Sequence, residues 1–600
     1  MERYADQFMG WLQEMGYSHC FFLAGGGSMH LLDAASKIFQ CIPVVHEVTA
    51  VISSEYFNES NRSSKKAFAL VTTGPGLTNS ITGIAGAWLE SRECLIVGGQ
   101  VKRDDLAPDG LRQKGIQEVN GIGLVKSITK ASLRISKPVT REIVQQVITE
   151  GATGRKGPVF IEFCIDASAS PATESMEKTN SQVGGSVTYP ISNWQLGELR
   201  SLIMNSKRPL VLLGAGVSQA EILRLEPKLE KLGIPLASTW TGADRANSEY
   251  AYYAGRPNTY GMRWANIFQQ QSDLLIAIGT RLNLQQTGFN CEDFMPVGSI
   301  VHVDIDPNEL NKPNPKDRLA IQSTSNEFLS LMIEEFSSAK TLTAREEWLE
   351  FLDLVKREVP IIEEFHKNAS EYVNPHVLIN LISKNSSKND IVITCSSGGT
   401  FTATQQSFLN SRGQQIISNK GLASMGYGLA GAIGAAIANP ESRILLFEGD
   451  GGFAQNLQDL GTVKSNNLNL KMFIFSNSGY ASIRSSQIAY FSGNYVGCDV
   501  KTGLGLPNWS AICNAYGIEY QKITSEDFVA FHFMHYLESK KPIFFEVMTD
   551  PNLLYTPKVA SKILPSGQMS SAAIHDMSPK ISTELAAQVF RYLPKELWGL

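Results

Sequence analysis

The chain is built from short apolar runs, each cut off by glycine or a polar turn, alternating with longer stretches whose apolar residues recur at helical spacing. In the first part the runs lie at 20–23 (CFFL), 42–45 (IPVV), 68–72 (FALVT) and 94–97 (CLIV). In the middle they lie at 209–213, 233–239, 274–281 and 300–306, and in the last part at 391–394, 444–447 and 470–475. Runs so short and so uniformly apolar fit strands covered on both faces, which means parallel sheets with helices on either side. The pattern predicts an α/β fold of three doubly wound parallel-sheet domains. The boundaries fall at 1–168, 191–345 and 373–550. Between them lie a Ser/Thr/Ala/Gly-rich linker, 169–190, and a charged helical connector, 346–372. A tail, 551–600, remains, with two readings open: it folds over a site mouth, or it packs on a partner subunit.

Six hundred residues are too many for one core, in line with three domains. A net charge of −5 gives no basic excess for nucleic acid. Residues 1–16 read as an amphipathic helix with acidic residues, not a secretory leader. No apolar run is long enough to span a bilayer. The eight cysteines are scattered without a CxxC pair, so neither a disulfide framework nor a cysteine zinc site is expected. A cytoplasmic protein with neither nucleic-acid nor membrane partner is predicted.

The chemistry concentrates at 443–487. A strand at 444–447 runs into Glu448-Gly449-Asp450-Gly451-Gly452. A helical pattern with Leu457, Leu460 and Val463 follows, and a second strand stops at Ser476-Asn477-Ser478-Gly479. This βαβ return puts Asp450 and Asn477, 27 residues apart, at the carboxyl ends of two parallel strands, where open α/β sheets bind ligands. A carboxylate and an amide oxygen suit Mg²⁺, which takes one or two protein oxygens and fills its octahedron with phosphate and water. The glycines let backbone N–H groups approach a diphosphate. Elsewhere, Gly25-Gly26-Gly27 and Thr73-Gly74-Pro75-Gly76 follow strands. Glu47 opens a helix, where a carboxylate alone does no more than complement the dipole. Gly214-Ala215-Gly216 is an incomplete dinucleotide fingerprint.

GDG with an Asn 27 positions after its Asp resembles the cofactor motif of thiamine diphosphate enzymes. HEVTA (46–50), TTGPGLTN (72–79), AGGGSM (24–29) and GLASMGYG (421–428) are similar to further motifs of that family, so the resemblance spans nearly the whole chain. It implies that Asp450, Asn477 and the Gly479 carbonyl hold Mg²⁺. Gly399, Gly449, Gly451, Gly452 and Tyr480 would lie along the diphosphate, and Met425 would prop the cofactor into a bent shape. It implies that Glu47 hydrogen-bonds the aminopyrimidine and sets its imino tautomer. Thr73, Pro75 and Asn79 would complete that side, with Gly25 and Gly26 facing the reaction. The first domain is then the pyrimidine domain and the third the diphosphate domain. Because such sites form between subunits in the family, a homodimer or homotetramer is implied. Most relatives carry Asn-Asn where this chain has Ser476-Asn477.

Within the family the chain resembles the acetolactate synthase branch. No histidine stands between His46 and His302, where pyruvate decarboxylase-type enzymes carry a His pair. Gln117-Glu118 matches the Gln-Glu of the synthases, and Gln117 would orient the acceptor. Ile116 stands in place of their Phe. That branch binds FAD in its middle domain, which points to Gly214, Gly216, Arg281 and Asp306, against the alternative of a retained fold without a ligand. Ser486 stands where the synthases have Trp, so Ser482, Arg484 and Ser486 suit a polar acceptor, and 487–506 reads as a mobile cover. The resemblance thus implies a carboligase that uses thiamine diphosphate and Mg²⁺, with or without FAD, to decarboxylate a 2-ketoacid, pyruvate, and transfer its two-carbon unit to a carbonyl acceptor such as a 2-ketoacid or keto-sugar. The rivals are a decarboxylase or cyclic-dione hydrolase, and a non-catalytic paralogue.

Overall fold

A computed structural model describes residues 2–172, 189–313, 315, 318–338, 345–367, 371–395, 397–563, 566–567 and 569–599. The linker expected at 169–190 lies largely outside the described residues.

Three all-parallel sheets carry the chain. The first orders its six strands Gln40–Pro43, Tyr17–Phe22, Lys66–Val71, Cys94–Gln100, Pro158–Cys164, Ala131–Ile135. The second orders five strands Arg318–Gln322, Ser299–Asp304, Leu274–Ile278, Pro209–Leu213, Leu236–Ser238. The third orders six strands Gln415–Ile417, Ile391–Thr394, Ile444–Gly449, Leu470–Ser476, Ile543–Met548, Glu519–Ile523. Numbered within each domain, the first and third sheets share one strand order, 2-1-3-4-6-5. Six strands of these sheets lie outside the runs read from the sequence: Ala131–Ile135, Arg318–Gln322, Gln415–Ile417 and the polar edge strand Glu519–Ile523 carry weak runs, whereas Pro158–Cys164 and Ile543–Met548 are apolar runs that the reading passed over. The central strands are buried along their whole length, as at Cys94–Gln100, because helices cover both faces.

The first and third domains meet through two helices, Glu47–Ser60 and Tyr427–Ala438. Small residues bring them together: a Cβ on Gly434 would lie 2.1 Å from the Ser53 carbonyl oxygen, and one on Gly431 2.6 Å from the Tyr56 ring. A buried polar cluster crosses the same seam. Arg92 pairs with Glu55 at 2.7 Å and donates to the Ser418 carbonyl at 2.8 Å, while the Tyr427 hydroxyl donates to Glu55 at 2.6 Å. Removing one member would strand a buried charge, a loss of about 3–5 kcal/mol.

Two further segments join the central core. The connector is helical over Glu346–Glu358, and that helix buries Trp348, Phe351, Leu352 and Val355 in the central core, with Trp348 stacked on Phe268 at 3.9 Å. Much of the described tail packs on the central domain of the same chain. Helix Thr583–Val589 sends Ala586 and Val589 into the central core. Arg263 donates to the Pro579 carbonyl at 2.8 Å, and Asn266 to that of Ile574 at 2.8 Å. The apolar side of the central domain is larger than its own sequence block can cover, and the tail completes it.

Candidate active site

Strands Ile444–Gly449 and Leu470–Ser476 are neighbours, with Gly449 paired to Phe475. Asp450 and Asn477 therefore emerge side by side, one residue past each strand end. The Asp450 carboxylate is buried and held from two sides: it accepts from the Gly451 N–H at 2.8 Å and the Asn477 N–H at 3.0 Å. Burial pushes its pKa up to about 6 in spite of these donors. Both conditions suit a carboxylate awaiting a cation. The helix expected after it is broken into Asp450–Phe453, a single turn at Leu457–Asp459 and Leu460–Ser465, because Gly451 and Gly452 do not sustain a helix start. Gly451 has no room for a side chain: a Cβ would meet the Tyr480 ring at 2.4 Å. Gly479 needs its glycine as well, with φ +145° and a Cβ position 2.2 Å from the Cys498 carbonyl oxygen.

Arg484 is the first correction at the site. Expected on the acceptor side, it is buried and turned to the metal turn. Its Nη2 donates to the Asn477 carbonyl at 2.8 Å and to Asn477 Oδ1 at 3.2 Å, and its Nε donates to the Pro551 carbonyl at 3.1 Å. It fixes which way the Asn477 amide points. Ser482 and Ser486 sit on the opposite, exposed face of helix Ala481–Phe491, and Ser486 donates to the Ser482 carbonyl at 3.1 Å. The expected cover, 487–506, starts as the end of that helix and is pinned to the metal turn. The Tyr480 N–H donates to the Cys498 carbonyl at 2.8 Å, and Gly479 bridges to Asp499.

On the other side, helix Gly398–Ser407 begins beside these residues, with Thr400 Oγ1 3.7 Å from the Cβ position of Gly449. Tyr555, from the tail, lies flat on Gly399, where a Cβ would fall 2.0 Å from its ring. Met425 is 37 % exposed, and its sulfur accepts from Gln455 at 3.7 Å. Buried Glu448, pushed up to about 8 by burial, leaves one carboxyl oxygen without a partner. A buried carboxylate, an amide oxygen, glycines with no room for a Cβ and orphaned polar atoms together fit a metal-diphosphate group.

In the first domain Glu47 is the first residue of its helix and is buried; Asn79, on helix Pro75–Leu89, donates to its Oε2 at 3.0 Å. The chain entering that helix is bolted to the third domain. Asp459 accepts from the Val45 N–H at 3.0 Å and from the Thr49 hydroxyl at 2.6 Å. Gly25 and Gly27 press on Thr72 and Thr73, whereas Gly26 has open space. Gly74, at φ +66°, backs onto Gln117, whose own φ is +58°. Gln117 is thus brought to the edge that carries Pro75 and Asn79, with its side chain exposed. Glu118 is a loop organiser: its carboxylate accepts from the N–H groups of Ala107, Lys114 and Gly115, which hold it below the usual range against burial.

The central domain opens a separate cavity of about 1060 Å³. Gly216, Thr239, Arg281 and Asp306 line it from the central domain, Arg155 from the first and Ile417 from the third. Gly214 does not line the cavity itself; it is packed against the neighbouring strand end, where a Cβ would sit 2.1 Å from the Gly279 carbonyl oxygen. Asp306 caps helix Pro307–Asn311 and faces Arg155 at 3.6 Å. The volume and the bare glycine turn fit a dinucleotide.

Asp459 and Tyr555 escaped the sequence reading as site residues, and Arg484 was expected on the acceptor side rather than against Asn477. Arg484 carried a signal, as a lone cation one helical turn past a metal turn; Tyr555 carried none.

Comparison with known proteins agrees with this geometry. Three family models match in order: the N-terminal TPP-binding domain of thiamine pyrophosphate enzymes at 2–124, their central domain at 196–332, and their C-terminal TPP-binding domain at 397–547. The chain belongs to the thiamine pyrophosphate enzyme family. Within that family it is an acetolactate synthase-like enzyme. It is 28 % identical over 545 residues to acetolactate synthase isozyme 2 large subunit of Escherichia coli (strain K12), covering 90 % of this chain and 94 % of that one. It is 29 % identical over 509 residues to the acetolactate synthase large subunit of Cyanidium caldarium, 82 % of each chain. With the acetolactate synthase large subunit of Lactococcus lactis subsp. lactis (strain IL1403) it shares 27 % over 522 residues, 85 % of this chain and 86 % of that one.

Proposed function

We propose that the protein is a cytoplasmic, Mg²⁺- and thiamine diphosphate-dependent carboligase. It decarboxylates a 2-ketoacid, pyruvate, and transfers the two-carbon unit to a carbonyl acceptor, a 2-ketoacid or keto-sugar. The observation that carries this reading is the juxtaposition of Asp450 and Asn477 at adjacent strand ends, with Asp450 aimed by two backbone N–H groups. When bound, thiamine diphosphate supplies the nucleophilic carbon and the electron sink for loss of CO₂. Asp450, Asn477 and the Gly479 carbonyl hold the metal. Gly399, Gly449, Gly451, Gly452, Met425 and Tyr480 surround the cofactor. Glu47, fixed by Asn79, holds a proton at the aminopyrimidine, beside Thr73 and Pro75. Gly25, Gly26 and Gln117 face the substrates, and the exposed Ser482–Ser486 face receives the acceptor.

Large apolar residues on both working edges support a second copy covering the site. Met29, Val45 and Ile116 on the first domain, and Ile483, Phe491 and Val496 on the third, are at least 47 % exposed in the single chain. A homodimer or homotetramer follows from this reading. FAD occupies the central cavity, with Gly214 and Gly216 at its phosphates and Arg281 and Asp306 alongside.

The test is NMR of the protein with thiamine diphosphate, Mg²⁺ and pyruvate, then with keto-sugars added. Acetolactate or a branched sugar, with CO₂ release, is expected. Free acetaldehyde as the main product in the presence of acceptor would replace the carboligase by a decarboxylase. A purified protein without flavin absorbance that takes up none on addition of FAD would remove FAD from the reading.

A further inference from the structure

The tail does more than complete the central core. Its first segment, 551–557, crosses the third domain as a strap tied at three carbonyls. Arg484 Nε donates to Pro551 at 3.1 Å, His366 Nε2 donates to Thr556 at 2.9 Å, and Gln406 Nε2 donates to Pro557 at 2.8 Å. His366 carries its proton on Nε2 because its Nδ1 accepts from the Glu363 N–H. Between these ties the strap inserts one side chain, Tyr555, which is 8 % exposed. Its ring covers Gly399 at the start of the ten-residue helix Gly398–Ser407. Its hydroxyl lies beside Asn477 and Thr400 and near the Asp450 carboxylate.

That hydroxyl is buried without a well-formed hydrogen bond. A buried, unmet O–H costs about 1–3 kcal/mol, so a native fold that keeps one at a ligand site points to a partner outside the chain. A phenolic O–H is a hydrogen-bond donor at neutral pH. What it faces is the space bounded by the metal pair and a helix start, which favours an anion.

We propose that Tyr555 is a cofactor-binding residue whose hydroxyl donates a hydrogen bond to the diphosphate held with the metal at Asp450 and Asn477. The inference rests on the cofactor reading above. It makes the tail, anchored on the central domain, a third contributor to a site otherwise built from strand ends.

The test compares wild type and Y555F, which keeps the ring on Gly399. Binding of thiamine diphosphate, and of thiamine as the probe without phosphates, is followed by fluorescence quenching at saturating Mg²⁺. Melting curves are recorded without cofactor. Y555F is expected to bind thiamine diphosphate about tenfold more weakly, the loss of one hydrogen bond to a charged group, with thiamine binding unchanged. Without cofactor it should melt at or above the wild-type temperature, because no internal bond is lost. Equal thiamine diphosphate affinity in both proteins overturns the inference and leaves the cofactor reading standing. A Y555F protein that melts well below wild type without cofactor shows the hydroxyl bonded within the chain, and also overturns it. A wild type that takes up no thiamine diphosphate overturns both.

Discussion

The first and third sheets are the same frame with different edges. Both run 2-1-3-4-6-5, both place glycines after their first strand, and both turn sharply after their third. One step past the third and fourth strands, the first sheet has Thr72 and Val101 where the third has Asp450 and Asn477. The first sheet puts its carboxylate elsewhere, at Glu47 after the second strand, and gives it a side-chain donor, Asn79, rather than backbone N–H groups. The frame supplies a crevice and the direction of the strand ends. The residues one step beyond give the two crevices different chemistry, a carboxylate held by backbone N–H groups in one and by a side-chain amide in the other. Helices Glu47–Ser60 and Tyr427–Ala438 pack the two domains together.

The sharpest break of this comparison is Asp450→Asn, which removes the charge from one edge alone. Turnover and Mg²⁺-dependent thiamine diphosphate uptake should fall below detection, while Glu47 and its fold are untouched; retained uptake would undo the metal assignment. Glu47→Gln acts on the other edge. Gln still accepts from Asn79, so cofactor binding should persist while kcat falls by about 10²–10⁴. A loss confined to KM would mean that Glu47 only binds. Arg484→Lys leaves both ligands in place and frees the Asn477 amide. Metal affinity, read as Mn²⁺ uptake by EPR with thiamine diphosphate present, should weaken about 10–100-fold.

Smaller effects test the seam and the acid lability of the third domain. Gly434→Ala forces a Cβ against the Ser53 carbonyl and should cost about 1–3 kcal/mol in urea unfolding. His376, buried and stacked on His366 at 4.4 Å, is pushed down by burial to about 3 from an ordinary 6.5. The unfolded chain therefore binds the proton first. The stability from this group is fully present above pH 6.5 and is lost as pH falls toward 3, by about 1.4 kcal/mol per unit at most. His376→Gln, which can still donate to Gln406, should flatten that slope; an unchanged slope would place the acid lability elsewhere.

Much of this molecule is legible without coordinates. Uniform apolar runs ending in glycine specify buried parallel strands because only a sheet covered on both faces asks for them. A carboxylate and an amide one βαβ return apart are brought together by the return itself, so Asp450 and Asn477 are determined locally. What local pattern cannot carry is contact between distant segments. Edge strands such as Glu519–Ile523 have one solvated face and no uniform run to betray them. The direction of Arg484 depends on which side of helix Ala481–Phe491 meets Asn477. Asp459 joins Thr49 of the Glu47 helix across 410 residues. Tyr555 is one of four aromatics in an unpatterned tail, with Phe590, Tyr592 and Trp598, and nothing singles it out until the central domain gives that tail a surface to lie on. Sequence determined the sheets and the pairing of Asp450 with Asn477 through short-range periodicity. Tertiary structure alone decided which side chains reach them, because burial and hydrogen-bond satisfaction are settled only when all three domains are packed.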